Sequence, residues 1–472
     1  MQARCLSLSW GYAMALLPIL FPAAVRAVDL DRPPIEYGTT EPHNAVERLQ
    51  ERLKDGRTKL SHEEGTGYLR SLLRELKVPQ SSQMLVFSKT SLQRQRINPR
   101  TPRAIYFADD AYVGFCQKGD VLEVTAVDPQ LGAVFYSLSQ KKSDRPRLLR
   151  QTDNCLICHA SSFNRGYPGH LARSVFADNA GMPLLASGTY RIDHTSPLRQ
   201  RWGGWYVSGD SGKQMHLGNL IARGNPRPED IDNSENLNVA HLNRYFRTEP
   251  YLTPHSDIVA LMVMEHQTEM QNRLTRANFS TRIALRDETE FNKALGRKTG
   301  YRSESTLSRI QNAGDPVVEY MLFCEEAQLT DPIKGVSGFA EEFVKAGPLD
   351  GKGRSLRQFD LKKRLFAHPC SYAIYSEQFD ALPSPVKDYI LHRLWEVLSG
   401  KDTSKTFAHL SAEDRRAILE ILRETKANLP AEWKAKASAP ARQPLSLRVR
   451  PISSISGGRS VEPHSANSAS LR

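Results

Sequence analysis

Residues 104–138, AIYFADDAYVGFCQKGDVLEVTAVDPQLGAVFYSL, decide the fold class because they contain four short runs of strand-forming residues. These runs cover residues 104–107, 112–115, 121–127 and 133–138. Val, Ile, Tyr and Phe suit the pleated, half-buried surface of a sheet. Residues 128–132, DPQLG, supply turn residues between the last two runs. With an earlier run at residues 84–87, the pattern predicts a set of short antiparallel strands.

Helices are predicted on both sides of this β-rich stretch, so we expect an α+β fold. Before it, apolar residues recur at helical spacing, at Val46, Leu49 and Leu53 and at Leu69, Leu72, Leu73 and Leu76. A basic linker, residues 141–150, leads into a central region, and the chain from about residue 235 is expected to be mainly helical. The helix signals there are a Ser256 cap for a helix over 257–274, a helix start at 382–385 and a capping box at 411–414.

The first 27 residues have the features of a secretory signal peptide. Arg4 precedes a mostly apolar stretch, and Val25 and Ala27 are small residues at the two key positions of a cleavage site. An uncleaved anchor is the alternative, but the stretch is short and contains prolines. Cleavage after Ala27 lowers the formal net charge from +12 to +10. The longest later apolar run, residues 258–264, is too short to span a bilayer, so we expect a soluble periplasmic protein.

Cys155, Cys158 and His159 form a C-x-x-C-H motif. Each thiol can form a thioether with one haem vinyl group, and the adjacent histidine can ligate the iron as the proximal ligand. The alternatives are a redox-active dithiol, a zinc half-site and a chance match. We find no βαβ context for the dithiol, and the remaining cysteines are single, which excludes a four-cysteine zinc site. The motif and the export signal together predict one covalently bound haem c.

The second axial ligand of the iron is not fixed by the sequence. His216 is our first choice, because Gly212 and Gly218 flank it and allow its loop to bend toward the iron. Met215 and His266 are the alternatives. His170, His194 and His255 are further histidines, for which a structural hydrogen bond is the preferred interpretation.

Side chains that suit haem propionates follow the motif. We expect Arg173, Arg201 and Trp202 to bind the haem, because guanidinium and indole N–H groups donate hydrogen bonds to carboxylates. Outside the motif and the signal peptide, the cysteines are Cys116, Cys324 and Cys370. Three thiols allow at most one disulfide within the chain, and we expect it between Cys324 and Cys370.

On these features the chain resembles the large secreted bacterial proteins described as cytochrome c domain-containing. The resemblance spans roughly residues 40–435. It is carried by residues 101–107, 127–129, 132–136, 155–159, 193–197, 201–206, 257–262, 265–267, 369–372 and 379–383. It implies haem binding, electron transfer and periplasmic residence, and it implies no particular reaction.

The sequence thus predicts five segments: a signal peptide (1–27), an N-terminal α+β region (28–150), a cytochrome c-like haem region (151–275), a helical region (276–435) and a disordered tail (436–472). We expect a haem protein that transfers electrons, with its positive charge steering it to an acidic redox partner. The alternative is a haem-dependent oxidoreductase of peroxidase type with an open or displaceable sixth position. The positive charge is spread along the chain and does not indicate a nucleic-acid binder.

Overall fold

One antiparallel sheet contains all the strands predicted between residues 84 and 138. The computed structural model describes residues 29–224 and 226–434, so the predicted signal peptide and tail lie outside the described residues. The sheet has the order β6-β5-β4-β3-β2-β1-β9. Its strands are β1 Met84–Val86, β2 Arg103–Phe107, β3 Ala111–Phe115, β4 Val121–Asp128, β5 Gly132–Ser139, β6 Leu148–Gln151 and β9 Trp205–Tyr206. A separate hairpin pairs β7 Arg173–Val175 with β8 Thr189–Arg191.

The sequence does not predict the β7–β8 hairpin or two strands of the large sheet, β6 and β9. The basic linker ends in β6, which pairs with β5. The last strand, β9, is only two residues long and returns from the central region to pair with β1 at the far edge. Each of these strands is too short to show a recognisable alternation of apolar and polar residues. Its strand conformation depends on pairing with a neighbouring strand of the sheet, β5 for β6 and β1 for β9.

The two faces of the sheet carry different layers. One face packs on α1 (Ala45–Lys54) and α2 (Leu69–Glu75), whose apolar residues share a core with Leu85, Val113 and Val124. Part of the other face packs on α4 (Ile258–Ala294), through a core that includes Phe107, Tyr112 and Val127. The rest of this second face, near β4, β5 and β6, carries α3 (Asn154–His159).

Helix α4 is the longest element and it runs well beyond the predicted 257–274. Its cap is Asp257, not Ser256: the Asp257 Oδ1 accepts hydrogen bonds from the Val259 and Ala260 amides at 2.8 and 3.2 Å. Ser256 instead ties the helix start to the sheet, because its hydroxyl accepts from the Leu85 amide and donates to a β9 carbonyl. Residues 258–272 are all buried.

The remaining helices complete a mainly helical C-terminal half. They are α5 Glu304–Met321, α6 Phe339–Lys345, α7 Glu377–Asp380, α8 Ser384–Leu398, α9 Ala412–Thr425 and α10 Ala431–Lys434. The predicted capping box at the start of α9 is confirmed. Residues 235–256 contain only short 3₁₀ turns, so the helical region begins later than predicted. Across residues 29–224 and 226–434, no helix combines the length and the hydropathy needed to cross a membrane.

Asp257 supports a stability prediction, because it is fully buried and accepts four amide hydrogen bonds. Besides capping α4, its Oδ2 accepts from the Val336 and Ser337 amides at 2.7 and 2.8 Å. Asp257→Ala leaves buried donors unpaired and is expected to lower the free energy of unfolding by about 3 kcal/mol in urea titrations. Ser411→Ala, which removes the exposed hydroxyl cap of α9, is the control and should cost about 1 kcal/mol. Equal losses in the two variants would contradict this role.

Candidate haem-binding site

Helix α3 presents the two cysteines of the C-x-x-C-H motif close to the surface. Cys155 and Cys158 lie three residues apart and therefore on neighbouring positions of one helical face. Cys158 is exposed and Cys155 is half-buried. Burial raises the pKa of the Cys155 thiol to about 11, with Glu123 acting in the same direction. A redox-active dithiol needs a lowered thiol pKa, so this environment disfavours that alternative.

His159 is oriented by a backbone hydrogen bond. Its Nδ1 lies 2.8 Å from the Gly169 carbonyl oxygen. A carbonyl can only accept, so Nδ1 carries the proton and Nε2 presents its lone pair on the opposite edge of the ring. Burial lowers the pKa of His159 and keeps the imidazole neutral. A neutral imidazole held through Nδ1–H is the arrangement found for metal-ligating histidines.

The Gly169 loop is held tightly against α4. The Gly169 amide donates to the His159 carbonyl at 3.1 Å. Asn272 of α4 clamps the next residue, accepting from the His170 amide and donating to its carbonyl, both at 2.9 Å. A Cβ atom on Gly169 would lie 2.2 Å from the Asn272 Oδ1, so only glycine fits here. The long helix therefore sets the position of the loop that orients His159.

The sheet forms a platform beside the motif. The Phe135 ring of β5 lies 4.6 Å from the His159 ring, centroid to centroid. On the same face, the strand register places Glu123 of β4 beside Ser137, which in turn lies beside Leu149 of β6. Glu123 in this strip lies close enough to α3 for its charge to act on Cys155.

Arg103 and Glu123 add a charged pair to this platform that sequence reasoning missed. Their side chains lie 2.5 Å apart and are about one-fifth exposed. Burial opposes ionisation of Glu123, but Arg103 and hydrogen bonds from Ser91 and Gln93 outweigh it, and the net effect lowers the Glu123 pKa. The pair acts electrostatically on both Cys155 and His159. The Arg103 Nε is buried without a hydrogen-bond partner among the described residues.

Two large apolar side chains at the motif are exposed to solvent. Ile157, within the motif, is 74% exposed, and Phe163, whose ring lies against the Arg173 guanidinium, is 46% exposed. Leu92, Leu149, Met182 and Leu185 are also exposed, and they lie on β6 and on the loops that follow β1 and β7. The loops that carry Leu92 and Met182 are joined, because the Lys89 amide donates to the Gly181 carbonyl at 2.8 Å. The exposed rings and aliphatic groups at the motif are available to contact a bound group. Met182 also carries a thioether sulfur, and the sequence alone does not identify it as a candidate ligand.

Of the predicted haem-binding side chains, the structure brings only Arg173 to the motif. Its guanidinium carbon lies 4.7 Å from the centre of the exposed Phe163 ring and its charge acts on Cys158. Arg201 and Trp202 instead lie in the interior, where both donate to the Glu265 carboxylate of α4. The Arg201 guanidinium also donates to two backbone carbonyls. Because these donors are occupied, we do not assign either residue to a propionate.

The preferred candidates for the second axial ligand have their nitrogens engaged. The His216 Nδ1 accepts from the Gly218 amide at 3.0 Å, so its Nε2 carries the proton and offers no lone pair. The fully buried His266 bonds through Nδ1 to the His194 Nδ1 and through Nε2 to the Ser371 hydroxyl, both at 2.8 Å. His255 lies 3.1 Å from the Ala240 carbonyl. Met215 is partly exposed.

His170 differs from these histidines, and the expectation of a structural hydrogen bond is wrong for it. Its ring is buried against Tyr112, with centroids 4.2 Å apart, and neither ring nitrogen has a hydrogen-bond partner among the described residues. Burial, helped by His159, lowers the pKa of His170 to about 3. His170 follows Gly169, on the Nδ1 side of His159, so its side chain starts behind the imidazole and not on the far face of a haem held by Nε2.

The other cysteines do not form the expected disulfide. Cys324 and Cys370 are both free and buried, as is Cys116. Burial raises the pKa of each thiol to about 12. They are therefore inert core residues in this structure.

Comparisons of the chain with protein families, with curated proteins and with solved structures found no match. The resemblance drawn from the sequence therefore stays a prediction. Within residues 29–224 and 226–434, no group of three or more His, Cys, Asp or Glu side chains is arranged to hold a metal ion.

The assignment of His216 as a buried structural histidine predicts a pH effect. Burial lowers its pKa to about 3, against about 6.5 in an unfolded chain. The unfolded chain thus binds a proton that the folded chain does not, so His216 destabilises the fold as the pH falls below 6.5. When the pH is lowered from 6 to 5, this difference removes free energy of unfolding from the wild type. In urea titrations, the free energy of unfolding of His216→Phe should therefore fall by about 1 kcal/mol less than that of the wild type over this interval.

Leu217→Ala, which alters the adjacent buried residue without removing a titratable group, provides the control and should keep the wild-type pH dependence. An unaltered slope in His216→Phe would refute the assignment. Loss of a low-spin ferric spectrum in that variant would instead identify His216 as an iron ligand.

Proposed function

We propose that this protein is an exported c-type cytochrome-like protein that binds one haem covalently at Cys155 and Cys158 and transfers electrons. His159 is the proximal ligand in this proposal. When bound, the haem supplies the redox-active iron, and the chain supplies its attachment, its axial nitrogen and its surroundings. Export to the periplasm is part of the proposal and derives from the first 27 residues.

The observation that carries the proposal is the orientation of His159. Its Nδ1–H is committed to the Gly169 carbonyl, so the lone pair of Nε2 is available, and the imidazole is neutral. Both thiols lie on the adjacent turn of α3, with Cys158 at the surface. Two thiols and a ligating nitrogen on one short helix are the three groups that covalent haem requires.

The surroundings of α3 support the same proposal. A haem seated there covers Ile157 and Phe163, which gives a physical reason for the exposure of these two side chains. The charges of Arg173 and Arg103 act on Cys158 and Cys155 respectively, and the Arg103 Nε has no hydrogen-bond partner among the described residues. We assign these two arginines to the propionates, because a buried guanidinium N–H gains most from a charged acceptor.

A second candidate function is a haem-dependent oxidoreductase with an open or displaceable sixth position. One observation favours it: both histidines preferred as second axial ligands have their ring nitrogens engaged elsewhere. Cyanide titration of the ferric protein separates the two functions. A spectrum that changes at once and saturably fits the open site, whereas an inert low-spin spectrum fits the electron carrier.

The proposed partner of the electron carrier is an acidic protein. The net charge of +10 after removal of the signal peptide steers such a partner at long range. Arg173 and the exposed Ile157, Phe163 and Leu185 give the motif a partly basic, partly apolar rim. Rims of this kind suit brief contacts between redox proteins.

Covalent attachment is tested by replacing both cysteines. The protein is coexpressed with a cytochrome c maturation system and analysed by haem staining after denaturing electrophoresis. The wild type should retain stain, and the double variant Cys155→Ala with Cys158→Ala should lose it, because no thioether bond remains. Cys116→Ala, which alters a buried thiol elsewhere, is the matched control and should stain like the wild type. Stoichiometric zinc in an unstained wild-type protein would contradict the proposal.

A further inference from the structure

A second cleft, formed by different residues from those of the motif, lies between α1, α2, α6 and the end of β2. Its volume is about 840 Å³, within the range of small-molecule sites in proteins. We propose that this cleft binds a planar aromatic anion, and that Tyr112 couples its occupancy to the haem site. The second half of this statement rests on the proposed function, and the first half does not.

Three largely buried aromatic rings, inclined to one another by 43° and 31°, form the apolar floor of the cleft. Phe107 and Phe339 lie with their ring centroids 5.5 Å apart, and Phe339 and Phe343 lie 5.6 Å apart. The Arg357 guanidinium covers the Phe343 ring at 4.5 Å and pairs with Asp109 at the wall. A continuous row of rings offers edge and face contacts that favour a planar aromatic ligand over a flexible one.

Cations at the mouth of the cleft indicate that the ligand is an anion. Arg52 and Arg74 share a single carboxylate, Glu75, at 3.6 and 3.7 Å, which are long contacts for ion pairs. Arg52 also donates to the Arg48 and Glu75 carbonyls at 3.3 and 3.2 Å. Arg48 is shared between Asp110 at 3.5 Å and Glu377 at 3.2 Å. A ligand carboxylate can offer two oxygens to such loosely held guanidinium groups and form shorter, bidentate bonds.

The acidic residues of the cleft do not cancel this preference. The carboxylates that line it are Glu75, Asp109, Asp110 and Glu342, against five cations, Arg48, Arg52, Arg74, Lys77 and Arg357. Asp109 is taken by Arg357, and Glu342 accepts a hydrogen bond from Ser81. Burial raises the pKa of Asp110, which lessens its tendency to ionise. Arg48, Arg52 and Arg74 line the cleft with side chains that are 46%, 32% and 65% exposed, so they remain accessible to a ligand.

A buried polar chain connects this cleft to the motif. At the wall of the cleft, the Gln267 Nε2 donates to the Ala108 carbonyl and the Gln271 Nε2 donates to the Asp109 carbonyl, at 2.8 and 2.7 Å. Both glutamines also bond to the Tyr112 hydroxyl, at 2.7 and 2.8 Å. The Tyr112 ring packs on the ring of His170, whose neighbour Gly169 orients the proximal histidine.

Binding is tested by isothermal titration calorimetry of the full-length protein with 2-naphthoate, and with the neutral 2-naphthamide as the charge control. We expect saturable binding of one naphthoate per chain and binding of the amide weaker by about tenfold. The double variant Arg52→Ala with Arg74→Ala should lose about tenfold in affinity for naphthoate. Ala346→Glu, which adds a negative charge at the exposed rim, should weaken it similarly without touching the core.

The matched control is Lys352→Ala with Arg416→Ala, which removes two cations from a separate charged cleft near α9. Its affinity should equal that of the wild type. The binding proposal is overturned by the absence of saturable binding, by equal affinity for the amide, or by unchanged affinity in both cleft variants. Calorimetry reads no haem signal, so a failure of haem attachment leaves this result interpretable.

Coupling is tested by the haem difference spectrum on addition of saturating naphthoate. The wild type should show a reproducible spectral change, and Tyr112→Phe should bind naphthoate with unaltered affinity but lose most of that change, because the hydroxyl link to both glutamines is removed. A spectral change of equal size in Tyr112→Phe, or no change in the wild type, would overturn the coupling while leaving the binding site in place.

Discussion

The interior carboxylates of α4 have to be paired, and much of the central region is arranged to pair them. Glu265 is fully buried and receives hydrogen bonds from Arg201 and Trp202. Burial raises the pKa of Glu265 to about 7, although Arg201 and Trp202 act in the opposite direction. One turn later, the Glu269 carboxylate forms ion pairs with three guanidinium groups, those of Arg191, Arg273 and Arg276. A buried carboxylate without such partners is strongly destabilising, so the central segment has to fold against this helix.

The same helix face connects the packing of the core to the geometry of the motif. Asn272, next along α4, fixes the backbone of His170 and leaves room for no side chain at Gly169. The Gly169 carbonyl then orients the imidazole of His159. His159 is therefore oriented by a loop that the long helix holds in place, which is the support that its proposed role as an axial ligand requires.

Features that depend on residues close together in the sequence can be predicted from it, whereas features that depend on contacts between distant residues cannot. The strands of residues 104–138 and the cap of α9 follow from local periodicity and turn chemistry, and both were predicted. The length of α4 was not, because its polar residues are buried and break the apolar period. Arg201 and Trp202 were assigned to a haem because sequence proximity to the motif cannot reveal a distant carboxylate. Arg103 and Glu123 lie on strands whose register alone brings them beside Cys155.

The central claim is that this chain carries one covalent haem. Its most direct test is the intact mass and iron content of the exported full-length protein, coexpressed with a haem-attachment system and denatured in acidic organic solvent before measurement. We predict a mass increased by one haem, with one iron per chain, for the chain cleaved after Ala27. A chain recovered at its unmodified mass, with both thiols free and no iron, would contradict the account.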